Sequence, residues 1–292
     1  MKRIVIPGFD GVPIFDVLIF FAKGLLKGEL ARRASSLSYN FIMAIFPLIL
    51  FFFTVIAYLP LDNFVATTYE MIENFLPEQS FAYVKNIIDG ILQKNSTLLS
   101  FSILFAFYFA TRGTRAMINE LNATYHDVET RSFIKKKLLA LFMLFVLVLL
   151  FIITIAINIA ITQFVNVLLD YKIIKVGWTL FFIKFIKWLL IVFLVFVCIS
   201  VIYYFAPVRK RAYHFFSAGS SLATLLIVLS SAGFNFYINN FSRYNVIYGS
   251  IGTLIILLLW IQLISMILLI GFELNVSIRS ASLKQQNDVL IK

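Results

Sequence analysis

Charged residues are scarce in this chain. Asp, Glu, Lys and Arg make up 13% of its 292 residues, whereas 61% are hydrophobic and the mean hydropathy is +0.95. A soluble domain carries about 25% charged and about 45–50% apolar residues. The chain therefore has too little polar material to cover the surface of a soluble protein. Its composition predicts an all-α, polytopic membrane protein.

Cysteine and histidine are almost absent. The single cysteine, Cys198, lies inside an apolar run, which excludes a disulfide framework and a cysteine-based metal site. The two histidines, His126 and His214, lie outside the apolar runs, and no H-E-x-x-H, C-x-x-C or G-x-x-x-x-G-K-[ST] motif occurs. We therefore expect no catalytic residue, no metal and no cofactor, and we predict that the protein is not an enzyme.

Acidic residues are few compared with basic ones, because 14 Asp and Glu accompany 25 Lys and Arg. Six of the basic residues lie within residues 111–137, a polar stretch between two apolar runs. A net charge of +11 would suggest nucleic-acid binding in a soluble protein. Short basic loops between spans instead mark the cytoplasmic side of a membrane. The charge therefore predicts topology rather than a nucleic-acid partner.

The apolar runs predict six transmembrane helices. Their approximate bounds are residues 36–59, 98–119, 138–169, 178–206, 217–238 and 250–278. Residues 1–35 form a cytoplasmic segment whose apolar residues recur at helical spacing, which predicts an amphipathic interfacial helix. Residues 60–97 predict short external helices between spans 1 and 2, and residues 279–292 predict a cytoplasmic tail.

The distribution of basic residues supports this topology. With both termini in the cytoplasm, 18 of the 25 Lys and Arg lie inside and 7 lie outside. The exception to the positive-inside rule is residues 170–187, which carry four lysines on the external side. The long side chains of Lys184 and Lys187 can extend to the outer interface.

Four of the six predicted spans carry polar or small side chains along one face. The candidates for lining a substrate cavity are Arg112, Arg115, Asn119, Asn122, Asn158, Asn235, Gln262 and Glu273. The alternative is that such residues join helices by hydrogen bonds, which is the favoured interpretation for the Ser and Thr positions. Because a charge within a span is costly, we expect Glu273 to pair with Arg112 or Arg115, either as a structural clamp between spans 2 and 6 or in a gating or substrate role.

Four segments in order resemble a known family. They are ARRASSLSYNFIMAIFP, NELNATYHDVETRSFIKKK, YYFAPVRKRAYHFFSAG and YGSIGTLIILLLWIQLISMILLIGFELN. Over about residues 15–280, the chain is similar to the YihY/virulence factor BrkB family of bacterial inner-membrane proteins. The positions that match the family's recurrent residues are Tyr39, Pro47, Asn122, Glu129, Arg131, Pro207, Gly219, Tyr248, Gly249, Gly271, Glu273 and Asn275.

The resemblance implies a location in the bacterial inner membrane and brings two functional labels. One is ribonuclease BN, but a metal-dependent ribonuclease needs a cluster of histidines and carboxylates that this sequence does not display. The other is a transporter-like role in the envelope, with suggestions of lipid handling. A ribonuclease is therefore the weaker of the two expectations.

These observations together predict a transporter or translocator of a lipid-like or anionic amphiphilic substrate, with membrane lipids as its partners. The alternative is a non-transporting scaffold or envelope-assembly partner, in which the polar faces are closed packing interfaces. The sequence leaves open whether the protein is a homo-oligomer. Gly249 and Gly252 would allow close helix approach within one protomer or between two.

Overall fold

The computed structural model describes a chain of α-helices. It covers residues 8–9, 11–27, 29–56, 85, 89, 96–123, 131–171, 177–208, 214–240 and 250–290. The helices with defined bounds are α1 (Ile14–Lys27), α2 (Leu30–Ile56), α3 (Ser96–Asn122), α4 (Phe133–Asp170), α5 (Trp178–Phe205), α6 (Ala218–Asn240) and α7 (Ser250–Leu290). The predicted all-α class is confirmed for these residues.

Four helical segments within the described ranges are long and apolar enough to cross a membrane. They are Phe133–Leu169, Trp178–Phe205, Ala218–Tyr237 and Ile255–Gln286. These segments coincide with the last four predicted spans. The first two predicted spans lie on α2 and α3, and their assignment as spans stays a prediction. The short external helices predicted within residues 60–97 fall almost entirely outside the described residues.

Three helices extend beyond the bounds that hydropathy predicts. α2 begins at Leu30 and α4 begins at Phe133, so each includes basic residues that were assigned to the preceding loop. α7 continues to Leu290, so most of the predicted tail is helical. No Gly or Pro follows Gly271 in the sequence, and Arg, Lys, Leu and Gln are good helix formers. Polar residues of this kind extend a helix past the membrane boundary.

The chain divides into two compact units. Unit 1 contains Met1–Arg33, Met117–Ser231 and Met266–Lys292, and unit 2 contains Ala34–Ala116 and Ala232–Ser265. α1, α4 and α5 belong to unit 1. The other four helices, α2, α3, α6 and α7, each have one part in unit 1 and the other part in unit 2.

α1 packs against α7 within unit 1. Val12 and Val17 are buried in a cluster with Leu274, Ile278 and Ala281. The opposite face of α1 exposes large apolar side chains, namely Phe15, Leu18, Ile19 and Leu26. α1 is thus a helix with one apolar face against the protein and another on its surface. Its position at the membrane interface stays a prediction.

α4 and α5 pack against each other in unit 1. The ring of Phe142, in the first half of α4, meets that of Phe205, at the end of α5, with centroids 5.2 Å apart. In the second half of α4, Thr162 Oγ1 accepts a hydrogen bond of 2.7 Å from Lys187 Nζ, near the start of α5. These two contacts show that α4 and α5 run antiparallel.

Candidate functional site

A buried ion pair lies in unit 1. Arg33 Nη1 is 3.5 Å from Glu273 Oε2, and both side chains are 1% exposed. The same guanidinium donates from Nε and Nη2 to the carbonyl oxygen of Glu120, at 3.1 and 2.7 Å. Glu120 lies in the last turn of α3, where carbonyl groups lack partners within the helix and attract a cation. Arg33 therefore links α2, α3 and α7.

Glu273 also lies directly against α1. A Cβ atom placed on Gly24 would be 2.7 Å from Cδ and 2.8 Å from Cγ of Glu273. A glycine at this position lets the α1 backbone approach the carboxylate side chain. The sequence predicted Arg112 or Arg115 as the partner of Glu273, and the structure gives Glu273 an arginine that the prediction did not name.

A second polar cluster lies at the C-terminal end of α5. Pro207 lacks an N–H group, and α5 ends at Phe205. Asn122 Nδ2 donates to the carbonyl oxygen of Ala206 at 2.8 Å, and Asn122 Oδ1 accepts the N–H of Val208 at 2.9 Å. Arg131 Nη2 donates to the same Ala206 oxygen at 2.5 Å. A residue of α3 and a residue just before α4 therefore satisfy the backbone groups around this proline.

A third polar cluster lies at the N-terminus of α6. Ser217 Oγ accepts the N–H of Ser220, and Ser220 Oγ accepts the N–H of Ser217, each at 3.1 Å. This reciprocal arrangement is a capping box. Asn275 of α7 adds to it, because its Oδ1 accepts the Gly219 N–H and its Nδ2 donates to Ser217 Oγ, both at 2.8 Å. The N-terminus of α6 is thus capped from its own chain segment and from α7.

Close backbone approach accompanies this cap. A Cβ atom on Gly271 would lie 2.6 Å from Tyr203 Oη and 2.7 Å from both Ala223 Cβ and the Gly219 carbonyl oxygen. Tyr203 itself donates to the carbonyl oxygen of Leu268 at 2.6 Å. α5, α6 and α7 therefore meet where only glycine fits on α7.

The positions that resemble the family's recurrent residues mostly gather in these three clusters. Asn122, Arg131, Pro207, Gly219, Gly271, Glu273 and Asn275 take part in helix ends, helix crossings or the ion pair. Pro47 is buried within α2, and Tyr39 is exposed on α2. Glu129, Tyr248 and Gly249 lie outside the described residues. In unit 1, the matching residues hold helices together.

Unit 2 contains a different kind of polar site. Arg112 of α3 is half-buried, and its Nε donates to Asn40 Oδ1 of α2 at 3.2 Å. Gln262 of α7 accepts a hydrogen bond from Ser38 Oγ at 2.6 Å and donates to Ser35 Oγ at 3.2 Å. Asn40 is a neutral amide, so this contact orients the guanidinium without neutralising its charge.

The remaining cavity candidates are dispersed. Asn158 of α4 and Asn235 of α6 are exposed, whereas Asn119 and Arg115 of α3 are half-buried. The structure therefore brings Arg112 together with Asn40, and Glu273 together with Arg33. Sequence reasoning missed both partners. The seven-residue spacing of Arg33 and Asn40 places them on one face of α2, and this was the available signal.

The described residues contain no group of three or more His, Cys, Asp or Glu side chains that could hold a metal ion. The polar clusters are composed of Arg, Asn, Gln, Ser and one buried Glu. The Arg, Asn, Gln and Ser side chains can donate hydrogen bonds to an anion, whereas an ionised Glu only accepts them.

Comparison with known proteins agrees with the resemblance noted in the sequence. The sequence model of the family described as Virulence factor BrkB matches residues 21–289. The "Putative ribonuclease-like protein YfkH" of Bacillus subtilis is 29% identical over 247 residues, which cover 83% of this chain and 88% of that protein. The "UPF0761 membrane protein NTHI0384" of Haemophilus influenzae is 26% identical over 259 residues, covering 88% and 92%. No solved structure gives a significant match.

Proposed function

The chain belongs to the virulence factor BrkB family of membrane proteins, and from that premise we propose that it translocates a lipid-like, anionic amphiphile. In this proposal it is a six-span protein of the bacterial inner membrane, with both termini in the cytoplasm. The substrate class follows from one site in unit 2.

Arg112 carries the proposal. It is a half-buried guanidinium on a helix whose preceding turns are largely apolar. Its Nε donates a hydrogen bond to the neutral amide of Asn40. An ionisable residue within an apolar segment is costly and marks a substrate pathway when it faces a cavity or a ligand. A guanidinium is planar, and the bond at Nε leaves its two terminal nitrogens as a fork that suits the oxygens of a phosphate or carboxylate.

The surroundings of Arg112 suit the apolar part of an amphiphile. Four exposed aromatic or aliphatic side chains precede Arg112 on α3 and lie within about one quarter turn of its direction, whereas Ser102 in the same arc is buried and Phe109 is half-buried. The four exposed side chains are Phe101, Leu104, Phe105 and Tyr108. A charged head group on Arg112 would therefore leave its acyl chains along an apolar stripe of the same helix. This pairing of one cation with an apolar surface favours a lipid over a small hydrophilic anion.

A scaffold is the second candidate, and unit 1 supplies the observation that favours it. Its buried polar residues are used to cap helices and to join them, as Asn122 and Asn275 do. A protein whose polar faces were all closed in this way would not carry a substrate. We further propose that the protein is not an enzyme, although one relative bears a ribonuclease-like name.

Native mass spectrometry of the full chain in mild detergent tests the assignment of Arg112. The probe is phosphatidylglycerol, titrated against phosphatidylcholine. Loss of a charge-assisted fork costs about 1.5–3 kcal/mol, so Arg112→Ala should weaken phosphatidylglycerol binding by about 10–100-fold. Arg32→Ala removes the same charge from an exposed position and should bind as the wild type does. Equal binding by all three proteins would remove Arg112 from the site and favour the scaffold.

A further inference from the structure

The four lysines of residues 170–187 are a feature that the proposed function does not use. They depart from the positive-inside rule, because the predicted topology places them on the external side. The structure describes two of them, Lys184 and Lys187, both on α5. They lie three residues apart, and residues at this spacing share a helix face.

Both lysines lie near one boundary of the hydrocarbon core. α5 is a segment able to cross a membrane, and it runs from Trp178 to Phe205. With its last residue at one boundary, a core of about 30 Å at 1.5 Å per residue ends about 20 residues earlier, within a turn of Lys187. Side chains of a helix point toward its N-terminus, so both ammonium groups extend outward to the head-group region.

Aromatic side chains lie on both sides of the two lysines along α5. Trp178 and Trp188 are exposed on α5, and the rings of Phe185 and Trp188 stack with centroids 6.3 Å apart. Tryptophan is enriched where a helix passes through the interface between lipid and water. This segment of α5 therefore has the composition of a helix that passes through the interface between lipid and water.

A hydrogen bond to α4 positions the ammonium group of Lys187. Lys187 is half-buried, and its Nζ donates to Thr162 Oγ1 at 2.7 Å, while Thr162 donates to the Asn158 carbonyl oxygen at 2.7 Å. The acceptor is a neutral hydroxyl, so the charge of Lys187 is not neutralised by this contact. An ammonium group has three donors, and this contact uses one of them.

The exposed polar stripe of α4 completes the site. Asn158, Thr162 and Asn166 follow one another at four-residue steps, and all three are exposed. Because α4 and α5 are antiparallel and Thr162 is level with Lys187, Asn166 is level with about Lys184. Two ammonium groups and the Asn166 amide thus line one edge of the α4–α5 hairpin, and Asn158 lies about one turn further from Lys184.

We propose that this edge is a second binding site, which holds the phosphate of an anionic phospholipid in the outer leaflet. The inference rests on the proposed function, because a lipid translocator needs a binding site for the head group at each surface of the membrane. It does not depend on Arg112. Lipid is favoured over free phosphate because the site lies beside exposed aromatic rings at the bilayer surface.

The test is the affinity of delipidated full chain for phosphatidylglycerol, measured by native mass spectrometry. A lysine near an anionic surface contributes about five-fold in affinity, so Lys184→Gln with Lys187→Gln should weaken one binding step by about thirty-fold. Lys184→Arg with Lys187→Arg should retain it. Arg32→Gln with Lys284→Gln removes the same charge from exposed positions elsewhere and should leave this step unchanged.

Three results would overturn the inference. They are equal binding by the Lys→Gln double variant and the wild type, an equal loss in the Arg32 and Lys284 control, and displacement of the lipid by excess inorganic phosphate. Loss of one lipid in Arg112→Ala and of a different one in the lysine variant supports both sites. If only the lysine variant loses a lipid, the proposed role of Arg112 fails and the outer site stands.

Discussion

The Arg33–Glu273 pair shows what a buried charge does in this protein. Each side chain is 1% exposed, and Arg33 also binds the end of α3 through the Glu120 carbonyl oxygen. Removing two charges from water is expensive, and their mutual attraction compensates only when the pair is intact. The pair is therefore a clamp that depends on both partners.

Arg33→Ala and Glu273→Ala should each destabilise the protein strongly. Breaking a buried ion pair by removing one partner costs about 3–5 kcal/mol, because the other charge stays buried. Thermal and chemical unfolding in detergent measure the effect. The double variant should lose less than the sum of the two single variants, with a coupling of about 0.5–3 kcal/mol.

Arg32→Ala is the matched control for this prediction. Arg32 pairs with Glu29, but the two side chains are 67% and 63% exposed. Exposed pairs contribute about 0–1 kcal/mol. A loss of stability in Arg32→Ala as large as that in Arg33→Ala would contradict the clamp, and so would strict additivity of Arg33→Ala and Glu273→Ala.

At the scale of helices, the α6–α7 crossing depends on small side chains. The structure leaves no room for a Cβ atom at Gly271, where Tyr203, Ala223 and Gly219 lie within 2.7 Å of its position. Small residues allow this close approach, which stabilises helix pairs in a membrane. The neighbouring cap by Asn275 fixes the start of α6 at the same place.

Gly271→Ala should destabilise the protein by about 1–3 kcal/mol, because the added methyl group forces packed helices apart. Gly233→Ala on α6 is the control, since a Cβ atom there meets nothing within 4 Å. That change should alter stability by no more than about 1 kcal/mol, in the stabilising direction. Unfolding midpoints of the two variants in the same detergent provide the measurement. Equal midpoints would show that the crossing tolerates a larger residue.

Sequence periodicity predicted the helices well and their partners poorly. Apolar runs located α4, α5 and α6 to within a few residues, because burial in lipid requires continuous hydrophobicity. The same rule misjudged the last helix, since α7 continues to Leu290 through polar residues. Hydropathy reports where a helix meets lipid, and helix propensity decides where the helix ends.

The partner of Glu273 illustrates the harder part. A mid-helix carboxylate predicts a nearby cation, and depth favoured Arg112 or Arg115, whereas the structure pairs Glu273 with Arg33. Which arginine meets Glu273 depends on the packing of α2 and α7, and the spacing of residues within one helix does not contain that information. Asn40 is a similar case, because its position on the Arg33 face of α2 does not by itself indicate contact with Arg112.

For the whole molecule, membrane location followed from composition alone, while the substrate depends on individual residues. A chain with 13% charged residues has no soluble surface, and the family match agrees with this conclusion. The proposal of lipid translocation depends on Arg112 beside an exposed apolar stripe. In the proposed topology, Arg112 precedes a cytoplasmic loop, whereas Lys184 and Lys187 follow an external connection.

Translocation of lipid by the purified protein tests this account most directly. The wild type, Arg112→Ala and Arg32→Ala are reconstituted into phosphatidylcholine vesicles that contain fluorescent phosphatidylglycerol, with and without an imposed proton gradient. The initial rate of transfer between leaflets is then measured. We expect transfer by the wild type and by Arg32→Ala, and a rate at least about tenfold lower for Arg112→Ala. Wild-type vesicles no faster than empty ones, or an Arg112→Ala rate equal to that of the wild type, would contradict the account.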